Sequence, residues 1–274
     1  MKRPISRALL GAIPASVLGV VIWAYAGDLN PPAGPITPTM KTLDEVEPRI
    51  AINATNTPGD ADSLFKITQR GSYYLTGNIT GVVAKHGVEI AASGVTLDLN
   101  GFDLVGVTGS LDGVSVTVID LRNIAVVNGS VRSWGDEGVD LGTFGADNCR
   151  VADLLASGNA GNGISTADGS TVTNCSASSN TANGIAATGS GCTVSNCSAS
   201  SNGASGILTS TGSTVSNCSA YLNTGNGIST GTGCTVSNCS AAFNAGSGIT
   251  TSPGCTVADC TARSNTLDGI VVRR

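Results

Sequence analysis

A glycine followed by valine or isoleucine returns along most of this chain, at Gly87, Gly113, Gly138, Gly163, Gly184, Gly206, Gly227, Gly248 and Gly269. The spacings are 26, 25, 25, 21, 22, 21, 21 and 21 residues. A fixed period in this range marks a chain of small units, each unable to bury a face alone and therefore stacked on the next. The units are not helical, because their segments are short, alternating, rich in β-branched residues and broken by Gly and Asn. In the unit that begins at Gly184, alternation sends Ile185, Ala187, Cys192, Val194, Cys197 and Ala199 to one side. Ala186, Thr193, Ser195, Ser198 and Ser200 go to the other. Three short strands per turn, stacked in parallel, make a parallel β-helix of about nine turns. With 37 Gly and only ten aromatic residues in 274, the core must be thin and filled by small side chains. A hydrophobic share of 41% excludes a disordered chain.

Two asparagine columns punctuate the units. Asn174, Asn196, Asn217 and Asn238, with Asp153 and Asp259 at the ends, fall between the second and third strands. Asn tolerates the left-handed backbone of a sharp corner, and stacked corners let each side-chain amide bond its copy one turn on. Asn159, Asn180, Asn202, Asn223, Asn244 and Asn265 mark another corner. The cysteines also fall in columns. Cys175, Cys197, Cys218, Cys239 and Cys260 share one inward position, and Cys149, Cys192, Cys234 and Cys255 another. Stacked side chains about 4.8 Å apart match a disulfide's Cβ separation of about 3.8 Å poorly, so the nine cysteines are expected as reduced core filler. The Asn-Cys-Ser triplets match a glycosylation sequon, but the corner explains them without it.

The alternation, the Asn corner and segments such as Val95-Thr96-Leu97-Asp98-Leu99-Asn100-Gly101 resemble secreted right-handed parallel β-helix proteins of the pectate-lyase-like fold. The resemblance covers residues 71–274. It implies an all-β, right-handed solenoid, and a family whose members include polysaccharide lyases, hydrolases and epimerases as well as adhesins and surface proteins. In its Ca²⁺-dependent lyases the cation sits among several Asp or Glu.

Residues 1–26 have the plan of a secretory signal: Lys2, Arg3 and Arg7, an uncharged run from Ala8 to Ala24, then Ala24-Tyr25-Ala26. A Pro-rich linker over 27–41 and a cap over 42–70, with a helical turn at Thr42–Pro48, precede the solenoid over 71–274. Removal of the signal leaves 11 basic against 19 acidic residues. That balance speaks against nucleic acid and gives no electrostatic help on anionic membranes. The expected location is secreted, periplasmic or cell-surface.

Residues 151–262 contain no Lys or Arg and three acids, Asp153, Asp168 and Asp259, so this stretch is scaffold. The charge lies in the first three turns. Alignment on the anchors places His86, Asp112 and Glu137 in one column, as candidates for proton exchange or for holding a cation. Later turns put Asn162, Asn183, Ser205, Asn226, Ser247 and Asp268 there, as a plain polar corner would. Arg132, Trp134, Asp136 and Asp140 are the candidate substrate contacts, with the Trp as a sugar platform. No cofactor motif or metal-ligand spacing appears, and Ca²⁺ would depend on these same carboxylates. The expected function is a non-enzymatic structural or binding rod toward polysaccharide or the cell envelope. The alternatives are a polysaccharide lyase or epimerase working from the first three turns, and ice binding through the ladder Thr171, Thr193, Thr214, Thr235 and Thr256. Oligomeric state is left open.

Overall fold

A computed structural model describes residues 49–274. The expected signal, linker and helical turn at Thr42–Pro48 lie outside the described residues. Within them every paired strand of the solenoid runs parallel to its neighbours, and no helix is long and apolar enough to cross a membrane. Ten strands, one per turn, stack in one sheet from Ser63–Ile67 and His86–Ile90 through Ile185–Ala187 to Ile270–Val272. The other two strands of each turn form a seventeen-stranded sheet. The chain is a parallel β-helix of ten turns rather than nine. The additional turn lies ahead of the first glycine anchor, where Phe65 pairs with Val88 and Ile50 with Tyr73. Residues expected as a cap thus join the ladders from Ile50 onward.

The alternation holds. Ile185, Ala187, Cys192, Val194, Cys197 and Ala199 are all buried, and the same positions line the core from turn to turn. Each regular turn has three left-handed corners. In the unit begun at Gly184 these are Gly191 (φ 68°), Asn196 (φ 55°) and Ser201 (φ 56°). The Asn174 column makes its corner as expected, with φ near 54° at Asn174, Asn217 and Asn238.

The amide ladder, however, runs in the other column. At Asn174, Asn196, Asn217 and Asn238 the side chains point to solvent, and the one side-chain bond of the column runs from Asn174 Nδ2 to Asp153 Oδ1, 3.1 Å. At Asn159, Asn180, Asn202, Asn223 and Asn244 they are buried, because the left-handed residue is the one before and the Asn itself turns inward. Asn180 donates its backbone N–H and its Nδ2 to Asn202 Oδ1 at 3.1 and 3.0 Å, and Nδ2 also donates to Ala156 O at 3.1 Å. Asn202 repeats this toward Asn223 and Ala177 O. Both donors and both lone pairs of each interior amide are used, which is the condition for burying it without cost.

All nine cysteines are free thiols. In the long column each thiol donates to the carbonyl two residues before it, as Cys197 Sγ does to Ser195 O at 3.2 Å.

Candidate functional site

The first four turns break the regular pattern along one edge of the ten-stranded sheet. Val88 pairs with Val114, Val114 with Val139 and Val139 with Ile164, and this register stacks His86, Asp112, Glu137 and Asn162 two residues upstream. The structure brings the three candidates together. His86 Nδ1 lies 3.1 Å from Asp112 Oδ2 and 3.2 Å from the Asp112 backbone N–H, which donates to it. The Glu137 N–H donates to Asp112 Oδ1 at 2.9 Å, and Asn162 Nδ2 donates to Glu137 Oε1 at 3.1 Å. The column continues as a polar corner, with the N–H of Asn183 and then of Ser205 donating to the side chain one turn before. The first turns therefore use a general device of the fold and load it with ionisable groups.

Asp136, exposed beside Glu137, completes a cluster. One carboxylate oxygen from each of Asp112, Asp136 and Glu137 lies within 4.8 Å of the others. Burial, the hydrogen bond to Asp136 and the charges of Asp136, Asp112 and Asp140 push Glu137 up to about 8. Burial of His86 opposes its charge, but the bond and charge of Asp112, with Asp62 and Glu89, outweigh it and raise its pKa. Oxygens bound to one Ca²⁺ at about 2.3–2.6 Å lie no more than about 5 Å apart, so these three carboxylates fit a divalent cation.

Three candidates have other work. Trp134 is 1% exposed and offers no face to a sugar. It occupies the buried Asn column one turn before Asn159 and closes that ladder by donating its backbone N–H to Asn159 Oδ1 (3.1 Å), while Nε1 donates to Leu104 O (3.0 Å). Its indole fills the space over Gly87 and Gly113, where a β-carbon would stand 2.8 and 2.9 Å from it. The signal was in the spacing: Trp134 lies 25 residues before Asn159, the period of its neighbourhood. Arg132 is held by Asp103 on the seventeen-stranded sheet, Nε to Oδ2 2.7 Å, and not by the acid cluster. Asp140 is buried and caps a turn, its Oδ1 accepting the N–H groups of Gly142 and Thr143 at 2.9 and 3.0 Å.

Sequence reasoning missed a second charged group. Lys66, Glu89, Ser115 and Asp140 are consecutive partners across the ten-stranded sheet, on the face opposite the core valines. Glu89, 1% exposed, accepts from Lys66 Nζ at 2.8 Å and from the Thr117 hydroxyl through Oε1, while Oε2 is buried without a partner. Lys66 also holds Asp60 at 2.7 Å, and the pairing drives the lysine's pKa up and the aspartate's down. Stepping two residues on from Gly87, Gly113 and Gly138 would have found this column.

The comparisons agree with this architecture. A family model described as "Right handed beta helix region" matches residues 141–274. The fold is the right-handed parallel β-helix of the pectate-lyase type. Among solved structures, the Dettilon tailspike protein superimposes with a TM-score of 0.57 at 14% identity, over 73% of this chain and 46% of its own. A periplasmic alginate epimerase, AlgG, gives 0.57 at 11% identity, over 74% and 59%. The pectate lyase Pel9A gives 0.56 at 14%, over 78% and 69%. The β-helix thus spans about half the length of the tailspike and three fifths of the epimerase. At these identities the likeness is one of fold. No curated protein sequence matches the chain.

Proposed function

We propose that this protein binds polysaccharide outside the cytoplasm, with the contact site on the first four turns and the regular turns as scaffold. The observation that carries this reading is the cluster of Asp112, Asp136 and Glu137 beside His86, set in a molecule whose residues 151–262 hold no Lys or Arg and only three acids. The names of the structural neighbours, an alginate epimerase and a pectate lyase, favour polysaccharide as the ligand class. Three carboxylates this close repel one another, and a Ca²⁺ ion bound by Asp112, Asp136 and Glu137 relieves that repulsion and offers positive charge to a sugar acid. Lys66 stays bound to Asp60 and Glu89, so it supplies little free positive charge of its own.

A second reading has one observation in its favour. Glu137, at about 8, is poised to exchange a proton near neutral pH, with Asp112 and His86 behind it, which suits acid–base chemistry on a sugar ring. Retention on glycan arrays with and without Ca²⁺ tests binding, and absorbance from unsaturated ends of uronate polymers tests lyase chemistry. Ca²⁺-dependent retention without turnover, lost in Glu137→Gln, is the expected result. Turnover lost in the same variant would establish the second reading, and retention indifferent to both Ca²⁺ and Glu137 would sink the first.

A further inference from the structure

Far from the acid cluster, the regular turns carry one departure from their own pattern. The outward column that holds Ser178 and Ser200 continues with Tyr221, Ala242 and Arg263. The left-handed corner next to it holds Gly158, Ser179 and Ser201, then Leu222 (φ 54°) and Phe243 (φ 58°), then Ser264. A bulky side chain in left-handed backbone is strained where Gly or Ser would not be. Burial does not repay that strain, since Tyr221, Leu222 and Phe243 are 43%, 49% and 43% exposed. Strain without structural return points to recognition.

The chemistry of the strip is specific. Tyr221 and Phe243 meet edge to face with ring centroids 5.5 Å apart, and the Arg263 guanidinium stands 5.6 Å from the Phe243 centroid. Arg263 makes no ion pair among the described residues. Tyr221, Phe243 and Arg263 sit on successive turns, so the strip runs about 10 Å along the axis, the length of a disaccharide. Two residues inward on the same face, the exposed hydroxyls of Ser219 and Ser240 border a shallow groove of about 430 Å³ along the Asn217 and Asn238 corner. Ring faces beside hydroxyls, amides and a guanidinium match the mixed apolar and polar surface of a pyranose.

We propose that Tyr221, Phe243 and Arg263 form a second glycan contact, on which a sugar ring of the same polysaccharide stacks. This rests on the polysaccharide reading above. A second copy of the chain is the weaker occupant, because three side chains fall far short of the roughly 800 Å² per partner that a stable interface buries.

The experiment is affinity electrophoresis of the full chain through alginate, an acidic probe, and through a soluble neutral β-glucan. Tyr221→Ser/Phe243→Ser restores residues already used at these positions by neighbouring turns. It should weaken binding at least tenfold to whichever polymer the wild type binds, with no fall in Tm. Arg263→Ser should weaken alginate binding alone. Should the double variant melt early, Phe243→Gly, copying Gly158, must still lower affinity. Equal binding by wild type and double variant overturns the strip, and if Glu137→Gln alone abolishes retention the acid-cluster reading stands without it. No retention of the wild type on either polymer overturns both. A wild-type dimer that the double variant disperses in sedimentation, with glycan binding unchanged, makes the strip a self-contact and overturns the proposal.

Discussion

The Nδ2 of Asn180 lies 2.6 Å from where a β-carbon on Gly163 would stand, and the carbonyl of Gly184 is equally close. The two most regular features of the sequence, the glycine anchor and the second Asn column, are therefore one device. From Gly138 to Gly248 each anchor lacks a side chain so that the amide ladder and the next strand can close over it. Gly184 with Asn202, Gly206 with Asn223 and Gly248 with Asn265 repeat the relationship at 2.6 Å.

Gly163→Ala should therefore cost about 2–4 kcal/mol, through overpacking and the broken amide bonds it forces. Asn202→Ala should cost about 3 kcal/mol, since it strips the acceptor from Asn180 and the donor from Ala177 O at a buried site. Denaturant midpoints measure both. Asn196→Ala, at the exposed corner, loses only the left-handed preference and should cost less than either. Equal losses at 196 and 202 would overturn the assignment of the ladder.

The architecture was legible because it is written many times over. A period, an alternation and corner residues recur in each turn, and an error in one turn is corrected by the next. The site was legible only in part. His86, Asp112 and Glu137 could be aligned because they share the anchor's register. The two Asn columns look alike in sequence, and whether the amide faces solvent or core depends on whether the left-handed residue is the Asn or the one before it. Trp134 misled because an aromatic residue in a polar turn suggests exposure, whereas the bare glycines of two adjacent turns leave an interior space for its indole. The Lys66–Glu89 pair lay before the first recognised turn on one side, where no repeat had yet set the register.

Trp134 should behave as a core residue. Its emission should be blue-shifted, resist aqueous quenchers and stay unchanged when polysaccharide is added. Trp134→Ala should lose about 3–5 kcal/mol, because a cavity opens over Gly87 and Gly113 and Leu104 O loses its donor. Glycan-dependent quenching of this residue would show that it does meet ligand.

Glu137 gives the stability of the first turns a pH dependence. Its carboxyl sits at about 8 in the fold against an ordinary 4.5, so between these values the folded chain holds a proton that the unfolded chain has lost. Stability should then fall as pH rises through that window. In chelator, Tm should decline from pH 5 to pH 8, and Glu137→Gln should flatten the decline. Ca²⁺ binds the ionised cluster and should raise Tm most at pH 8. A slope undiminished in Glu137→Gln would refute the raised Glu137 carboxyl as its source, and a Tm indifferent to Ca²⁺ would refute the cation assignment.

The seven buried thiols should be reduced and silent until the chain unfolds, with Cys255 and Cys260 half-buried at the end of the columns. Burial pushes Cys149 up to about 11, and the long column donates its thiols to carbonyls, as Cys218 does to Ser216 O at 3.1 Å. Because the folded pKa of Cys149 is raised, its thiolate is scarce at pH 8 in the fold and appears on unfolding, and stability falls as pH climbs from 9 toward 11. Thiol-reactive dye should label the native protein slowly and all nine cysteines in denaturant. Cys218→Ser keeps a donor for Ser216 O and should cost less than about 1.5 kcal/mol. Cys218→Leu overpacks the corner and should cost about 1–3 kcal/mol. A count below nine in denaturant, restored by reductant, would mean that bonds between turns form despite the parallel stacking.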